Sequence, residues 1–283
     1  MMNKRSYILL IFTFLIAFQN FAQESTPKIE ELRNKGRFYV FWGWNRGWYS
    51  NSDIEFKGDN YNFTLNNVNA KDRQSPFEWG LYFNPSTVTI PQTNFRIGYF
   101  INNKYDLSFG VDHMKYVMVQ NQQTQITGDI SDGSFYDKSY SNNDIDLTKD
   151  FLTYEHTDGL NYLNFEITRN DDLLKIIKVN GNSNKIQINT LLGAGVGALM
   201  PKSNVTLWNN DRHDDFHLAG YGVSLKTGLN VTFFKYFFIR TEYKVGFINM
   251  PDIRTSPQPS DRAAQHFTFA QWNFNFGFSF KLF

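Results

Sequence analysis

A pair of histidines with carboxylates between them has a spacing that could support metal binding. The segment DRHDDFH places His213 and His217 four residues apart, with Asp214 and Asp215 between them. On a helix, two histidines at this spacing share one face and can bind the same metal ion. The segment lies in a polar link without a helical pattern, so we predict no metal site there.

Carboxylates are dense in the long link between about 120 and 158. Clustered carboxylate oxygens can bind Ca²⁺. No spacing in this link matches an EF-hand loop, so we predict an acidic, solvated loop and no cofactor. Its only two lysines are Lys138 and Lys149, and its acidic residues are Asp129, Asp132, Asp137, Asp144, Asp146, Asp150, Glu155 and Asp158.

Two further histidines stand in strand-like segments. His156 and Asp158 lie in YEHTDGLNYL, and His113 and Lys115 lie in VDHMKYV. A histidine beside a carboxylate can form a structural hydrogen bond or act as a general acid or base. The chain has no cysteine, so a thiol nucleophile and disulfides are excluded.

Alternation of apolar and polar residues identifies the elements that position these groups. In the C-terminal FTFAQWNFNFGFSFKLF, every even position from Trp272 to Leu282 is apolar, while the odd positions between them are Asn, Gly, Ser or Lys. Period two is the signature of a β-strand. The pattern recurs and predicts eight strands, near 37–50, 92–101, 105–119, 159–169, 185–200, 221–234, 237–250 and 266–283.

We predict an all-β fold, a closed antiparallel transmembrane β-barrel with long extracellular loops. Aromatic residues make up 18% of the chain although the mean hydropathy is −0.44, as for a surface that meets both lipid and water. Tight turns alternate with long polar links, which is the outer-membrane pattern. Because backbone groups in lipid must be paired within the protein, the last strand closes the sheet against the first. The alternative is ten strands, if YNFTLNNV and STVTI in the first long link cross the membrane instead of extending above it as a hairpin.

The N-terminal residues predict export. Lys4 and Arg5 precede the apolar run YILLIFTFLIAF, and Ala22 offers a small residue for cleavage. We predict a signal peptide over 1–22 and one outer-membrane barrel domain over 23–283. The net charge of +1, from 28 basic and 27 acidic residues, lacks the basic surplus that is typical of nucleic-acid-binding proteins.

The alternation predicts that several charged residues of the strands point into the barrel lumen. An eight-stranded barrel is just wide enough to be filled by side chains. Burying one charge without its partner costs several kcal/mol, so four cations facing four anions predict a salt-bridged plug. The alternative is a narrow proton or ion path. The predicted lumen charges are Arg96, Asp106, Asp112, Glu166, Lys226, Arg240, Glu242 and Lys244.

Aromatic and basic residues face outward at the outer ends of the first and third strands. Rings and cations at that depth fit the headgroup belt, where cations meet lipopolysaccharide phosphates. A bulge would instead turn His113 inward beside Asp112. The predicted belt residues are Trp42, Trp44, Arg46, Trp48, His113 and Lys115.

By strand number, loop pattern and aromatic last strand, the chain resembles small eight-stranded outer-membrane barrels of Gram-negative bacteria. The Phe/Asn-rich strands and the AQ at the cleavage site look like those of Bacteroidota. The resemblance implies outer-membrane lipid and lipopolysaccharide as surroundings and the barrel-assembly machinery as a partner. The last strand is similar to the assembly signal of such barrels, except that its apolar residues are out of step with the terminal Phe283.

The segment around His156 is similar to the H-x-S-N segment of lipid A deacylases, with Asp158 and Gly159 at the serine and asparagine positions. A serine esterase without its serine lacks the nucleophile. We therefore predict a non-enzymatic outer-membrane protein that is structural or binds a ligand or partner through its outer loops. The alternatives are an enzyme that modifies lipid A or phospholipid at the outer rim, near His113 or His156, and a small pore.

Overall fold

The structure is a computed structural model that describes residues 34–84, 86–87, 90–177, 185–208 and 211–282. The predicted signal peptide over 1–22 and the terminal Phe283 lie outside these residues. Among the described residues, none of the helices is long and apolar enough to cross a membrane.

The described residues are almost entirely β-strand. In chain order the elements are β1 (Phe38–Tyr49), β2 (Ser52–Gly58), β3 (Tyr61–Val68), β4 (Ala70–Lys71), α1 (Trp79–Tyr82), β5 (Thr93–Phe100), β6 (Tyr105–Met118), β7 (Gln123–Ile130), β8 (Lys138–Asp146), β9 (Leu152–Asp172), α2 (Leu173–Ile176), β10 (Ile186–Pro201), β11 (Asn204–Leu207), β12 (Gly220–Phe233), β13 (Phe237–Arg254) and β14 (Arg262–Phe280).

Eight of these strands form a closed antiparallel ring in the order β1, β5, β6, β9, β10, β12, β13, β14. β14 pairs back with β1 from Phe38 opposite Phe280 to Tyr49 opposite Phe269. The eight-stranded barrel is therefore confirmed. The ten-strand alternative is wrong, because YNFTLNNV forms β3 outside the ring and the described residues of STVTI form no strand.

The stagger of the barrel follows from the strand register. A row of paired residues that starts at Phe38 on β1 returns to β1 at Trp48, which is 48 − 38 = 10 residues further along. In barrels of this size such a stagger accompanies strands tilted by about 35–45°. The row passes through Phe38, Tyr99, Leu107, Ile167, Ala194, Leu225, Val245, Ala270 and Trp48.

Short connections lie at one end of the barrel, here called the inner end, and the long links lie at the opposite, outer end. The connection after β9 is the longer one at the inner end and contains α2. β9, β13 and β14 have 21, 18 and 19 residues. A tilted transmembrane strand needs about 9–11 residues, so these strands extend beyond the membrane.

The strands that continue outward form an extension of the sheet, here called the outer extension. It joins β2, β3, β7 and β8 to the start of β14. β9 begins at Leu152 instead of near 159, because its first residues pair with β11 and with β6. β14 likewise begins at Arg262 instead of near 266, because its first residues pair with β2. Of the two segments predicted to form a hairpin above the membrane, YNFTLNNV does so as β3, but its partner is β2 and not STVTI.

The outer extension has an apolar interior, here called the outer core. Its side chains are buried as in a water-soluble protein, and burial of this kind stabilises a fold by about 25 cal/mol per Å² of apolar area. The largest of its fully buried side chains are Tyr116, Tyr154, Tyr162, Phe56, Phe63, Phe151, Ile54 and Leu65.

The surface of the ring itself is apolar and exposed. Large aromatic and aliphatic side chains point away from the lumen on every flank, which a protein in water does not tolerate over such an area. This surface identifies the ring as the membrane-spanning part. Its exposed residues include Phe95, Ile97, Leu107, Phe109, Phe165, Leu192, Val223, Leu225, Leu229, Val245, Trp272, Phe274 and Phe278.

We expect Phe278→Arg to impair assembly strongly, because Phe278 is 56% exposed on the lipid face. An arginine on the lipid face of such barrels costs about 2–4 kcal/mol at the midplane and less toward the interfaces, and Phe278 lies opposite Val40, between the inner end and the midplane. The matched control is Phe135→Arg, at a side chain that is 97% exposed in the link between β7 and β8. Heat-modifiable gel migration after refolding into detergent measures both variants. Equal folded yields for the two would contradict the lipid-facing assignment of Phe278.

Candidate functional site

The middle of the lumen holds a buried network of charges from five strands. β5 provides Arg96, β6 provides Asp112, β9 provides Glu166 and β12 provides Lys226. β13 provides the last three, Arg240, Glu242 and Lys244. The exposed fraction of every one of these residues is 3% or less. The sequence prediction named all seven, and the structure brings them together across the lumen.

Glu166 lies at the centre of the network and meets three cations. One of its oxygens is 3.0 Å from a guanidinium nitrogen of Arg96 and 2.6 Å from Nζ of Lys226. Its other oxygen is 2.7 Å from Nζ of Lys244. These contacts join β9 to β5, β12 and β13, so one carboxylate cross-links three other strands of the barrel.

Two further carboxylates complete the network. Asp112 lies 3.3 Å from Arg96 and contacts Lys244 with its other oxygen. Glu242 lies 2.8 Å from Lys226 and 3.8 Å from Arg240. Each buried charge therefore has an opposite charge beside it, which is the condition under which a buried ion pair is tolerated.

Arg240 marks the inner boundary of the network. Its guanidinium lies 5.1 Å from the ring centres of Tyr39, Phe41 and Phe238. Its Nε donates a hydrogen bond of 3.1 Å to Asn230. Aromatic faces stabilise a desolvated cation by about 2 kcal/mol. The three rings also narrow the lumen at its inner end.

Asp106, the remaining predicted lumen charge, is held by neutral donors. The hydroxyl of Tyr39 donates to one of its oxygens at 2.7 Å, and the amide of Asn170 donates to the other at 2.7 Å. Nothing in the sequence pattern identified Tyr39 or Asn170 as its partners, because they lie 67 and 64 residues away along the chain.

Glycines on β10 make room for the charged side chains. A Cβ at Gly195 would lie 2.8 Å from Cγ of Glu166 and 3.0 Å from Oγ of Ser224. A Cβ at Gly193 would lie 3.0 Å from Cε of Lys226. The absence of a Cβ at Gly193 and Gly195 thus allows Glu166 and Lys226 to meet.

Above the network the lumen is filled by the outer core. Tyr162, Leu160 and Leu199 are fully buried there, and the hydroxyl of Tyr162 donates to the carbonyl of Gly222 at 3.1 Å. The charged layer and the apolar layer follow each other along the barrel axis. Together with the aromatic rings at the inner end, they fill the described lumen with side chains.

The predicted headgroup belt divides into two groups. Trp42, Trp44, Arg46 and Trp48 alternate with the buried residues of β1 and point away from the lumen. Arg46 and Trp48 are exposed, whereas the Trp44 ring packs against lipid-facing Phe276 with ring centres 5.8 Å apart. These four residues therefore lie on the outer surface of the barrel wall.

His113 and Lys115 are partly covered. His113 stays outward and its Nδ1 lies 2.8 Å from the amide oxygen of Asn161, so the bulge that follows it in β6 does not turn it toward Asp112. Lys115 is buried, and its Nζ donates to the carbonyl of Ile90 at 2.7 Å. The structure places Lys115 beneath the first loop and not in the open belt, because that loop folds over β6.

His156 is part of the outer core and not of an exposed rim. Its exposed fraction is 0%, and its Nδ1 lies 2.9 Å from the hydroxyl of Ser203, which is 3% exposed. Asp158 pairs instead with Lys202 at 3.6 Å, so the predicted His156–Asp158 pair is wrong. The serine–histidine distance suits a nucleophile and its base. The pair is enclosed by the outer core, so this hydrogen bond is structural.

The histidines of DRHDDFH have separate surroundings. The two rings of His213 and His217 lie 6.4 Å apart between centres. His217 pairs with Asp252 of β13 at 2.8 Å and so ties its loop to the barrel. Within the described residues, no group of three or more potential metal ligands is present.

A polar cluster that no sequence pattern predicted completes the edge of β1. β5 ends at Thr93 opposite Trp44, so the next backbone groups of β1 lack a strand partner. The carboxylate of Asp72 accepts from the amide of Gly47 at 2.9 Å, and Gln74 donates to the carbonyl of Asn45 at 3.1 Å. The only sequence signal for this gap was that the predicted strand 92–101 is shorter than the predicted strand 37–50, with which it pairs.

The chain matches no family model and no curated protein. Three solved structures to which it is similar are outer-membrane proteins. OprG from Pseudomonas aeruginosa is 9% identical, with 88% of this chain and 97% of that chain covered and a TM-score of 0.37. Ail of Yersinia pestis is 12% identical, with coverages of 87% and 99% and a TM-score of 0.28. The Neisserial surface protein NspA is 12% identical, with coverages of 84% and 98% and a TM-score of 0.30. The barrel fold rests on the strand pairing described above, not on these values.

We expect Glu166→Gln to destabilise the barrel by about 3–5 kcal/mol, the usual cost of breaking a buried ion pair. The loss leaves Arg96, Lys226 and Lys244 without their shared carboxylate. The control is Asp171→Asn, which removes a partly exposed pair with Arg169 and should cost less than about 1 kcal/mol. Urea unfolding in detergent measures both. Similar midpoints for the two variants would show that the network does not stabilise the barrel.

We expect acid to weaken the outer extension through His156. Burial lowers the pKa of His156 to about 3, from about 6.5 in an unfolded chain. The unfolded state therefore binds the extra proton first, and stability present above pH 6.5 is lost as the pH falls toward 3, by up to about 1.4 kcal/mol per pH unit. His156→Gln keeps a hydrogen-bonding group but does not titrate. The thermal midpoint should decrease less between pH 7 and pH 4.5 in this variant than in the parent protein. Equal decreases in the two proteins would show that His156 is not the source of the acid sensitivity.

Proposed function

We propose that this protein is a non-conducting, non-enzymatic barrel of the bacterial outer membrane. In this role it holds a rigid extracellular β-structure against the membrane, where that structure binds a ligand or partner. The observation that carries the proposal is the filled lumen, in which aromatic rings, a charge network and an apolar core follow one another along the axis.

An outer-membrane location is supported by the architecture. A closed barrel with an apolar outer surface and long links at one end is the form in which strands cross that membrane. The predicted export signal fits the same location. The outer end then faces the outside of the cell, and the surrounding lipid includes lipopolysaccharide.

A binding role is supported by the outer extension. β7 and β8 form a hairpin at the edge of the extended sheet, and the residues of β8 are exposed or half-buried on both faces. Its carboxylates Asp144 and Asp146 and the nearby Asp150 give this edge a negative surplus over Lys138 and Lys149. A partner with a cationic surface is the chemistry that suits this edge best.

An enzymatic role near the rim has less support. His113 is engaged by Asn161, and His156 is enclosed with Ser203 in the outer core. A lipid headgroup on the barrel surface would reach neither Nδ1 of His156 nor Oγ of Ser203 without displacing buried side chains. The rim histidines therefore offer no accessible nucleophile and base pair within the described residues.

Conductance tests the proposal directly. Because the lumen is filled, we expect planar-bilayer recordings of the purified protein to show no sustained openings of nanosiemens size. Stable openings would overturn the plugged barrel and favour the pore. Glu166→Gln is the variant in which conductance should appear first if the lumen can open, because it removes the carboxylate at the centre of the charge network.

The enzymatic alternative has its own test. Lipid A and phospholipids from a deletion strain and its parent can be compared by mass spectrometry. We expect identical acyl and headgroup patterns. A difference that returns to the parental pattern on complementation with the intact gene, and with His156→Gln as well, would assign the chemistry to a site other than His156.

A further inference from the structure

Three aromatic residues of the first loop are exposed on the outside of the barrel wall. Phe77 is 62% exposed, Trp79 is 73% exposed and Phe83 is 49% exposed. We call these three residues the aromatic foot. Their rings contact one another, with ring centres 5.5 Å apart for Phe77 and Trp79 and 5.0 Å apart for Trp79 and Phe83. They form one apolar patch and not scattered side chains.

The aromatic foot is continuous with the lipid-facing surface of the barrel. The ring centre of Phe83 lies 5.2 Å from that of Trp44, and Trp44 in turn contacts lipid-facing Phe276 at 5.8 Å. Tyr82 of α1 also packs on Trp44, with ring centres 5.7 Å apart. The first loop therefore reaches down from the outer end along the outside of β1.

The height of this contact places it in the outer half of the membrane. Trp44 lies six residues above Phe38 at the inner end of β1. For a tilted strand this is about 15 Å along the barrel axis. The apolar band of such barrels is about 25 Å tall. Counted from Phe38, Trp44 is thus in the outer half of the band, at the level of the outer-leaflet acyl chains and below the headgroup boundary.

The loop is held at this position by hydrogen bonds on both sides. Asp72 and Gln74 bond to the backbone of β1, and the amide of Asn45 donates to the carbonyl of Gln92 at 3.2 Å. Lys115 of β6 donates to the carbonyl of Ile90. The aromatic foot is therefore presented by an anchored loop, with Phe83 packed on Trp44 and with Phe77 and Trp79 largely exposed.

The charges around the aromatic foot suit the headgroup boundary. Arg46 is exposed on β1 two residues above Trp44, and within the described part of the chain it has no ion-pair partner. A guanidinium at this level can meet lipid phosphate. Glu78, between the rings, is exposed too. Because a carboxylate in hydrocarbon is costly, insertion of the neighbouring rings requires Glu78 to reach the water above them.

We propose that the aromatic foot is a lateral membrane anchor that inserts its rings among the acyl chains of outer-leaflet lipids beside β1. The rings lie in the outer half of the apolar band, below the headgroup boundary at which aromatic side chains are enriched. The anchor clamps the first loop to the membrane plane and so fixes the orientation of the outer extension above it. This inference does not depend on which partner the outer extension binds.

Spin labelling tests the anchor, because the chain has no native cysteine. Trp79→Cys carries a nitroxide on the aromatic foot, Phe278→Cys carries one on the lipid face and Phe135→Cys carries one in an outer link. The proteins are refolded into vesicles of phosphatidylcholine and phosphatidylglycerol. Collision rates with oxygen, which concentrates in lipid, and with a water-soluble nickel chelate then report the depth of each label.

We expect the oxygen-to-nickel ratio at position 79 to exceed that at position 135 several-fold and to approach that at position 278. A ratio at 79 equal to that at 135 would overturn the anchor. Shielding of position 79 from both reagents, together with a cross-linked dimer through Cys at that position, would overturn it in favour of contact with a second copy. Heat-modifiable migration of Trp79→Cys confirms that the labelled barrel has folded.

Discussion

Hydrocarbon offers no hydrogen-bond partner to a peptide group, so each strand in the membrane must be paired on both edges. In this protein the pairing closes a ring of eight strands in which β14 returns to β1. The stagger of ten residues and the strand number together determine the width of the lumen. A lumen of that width can be filled by side chains alone, so the sizes of the inward-facing residues determine whether it is blocked.

The lumen is solid by two different means. At the level of the membrane, cations and anions from five strands meet around Glu166, and each charge has a partner. Above that level, the same strands bury aromatic and aliphatic side chains in the outer core. Apart from the aromatic rings of Tyr39, Phe41 and Phe238 at the inner end, polar residues thus face inward where lipid surrounds the wall, and apolar residues face inward where water surrounds it. The change marks where the strands leave the membrane.

The short β5 has consequences for the outer surface. Where β5 ends, the unpaired edge of β1 is completed by Asp72, Gln74 and Gln92 from the first loop. This requirement holds the loop against the outside of the wall and brings its aromatic residues to Trp44. The backbone pairing that closes the barrel therefore also determines where the first loop lies relative to the lipid.

The sequence by itself determined a closed barrel of eight or ten strands and its two faces, because period two is a local signal that each strand carries in its own residues; the strand pairing decided for eight. It also named the inward charges, since alternation fixes the side to which a residue such as Glu166 points. Only the tertiary structure decided the partners: Tyr39 with Asp106, Ser203 with His156, and Ile90 with Lys115. These pairs are distant in sequence and depend on stagger and on loop packing. Local periodicity contains neither, so the burial of His156 and the covering of Lys115 could not be read from the chain.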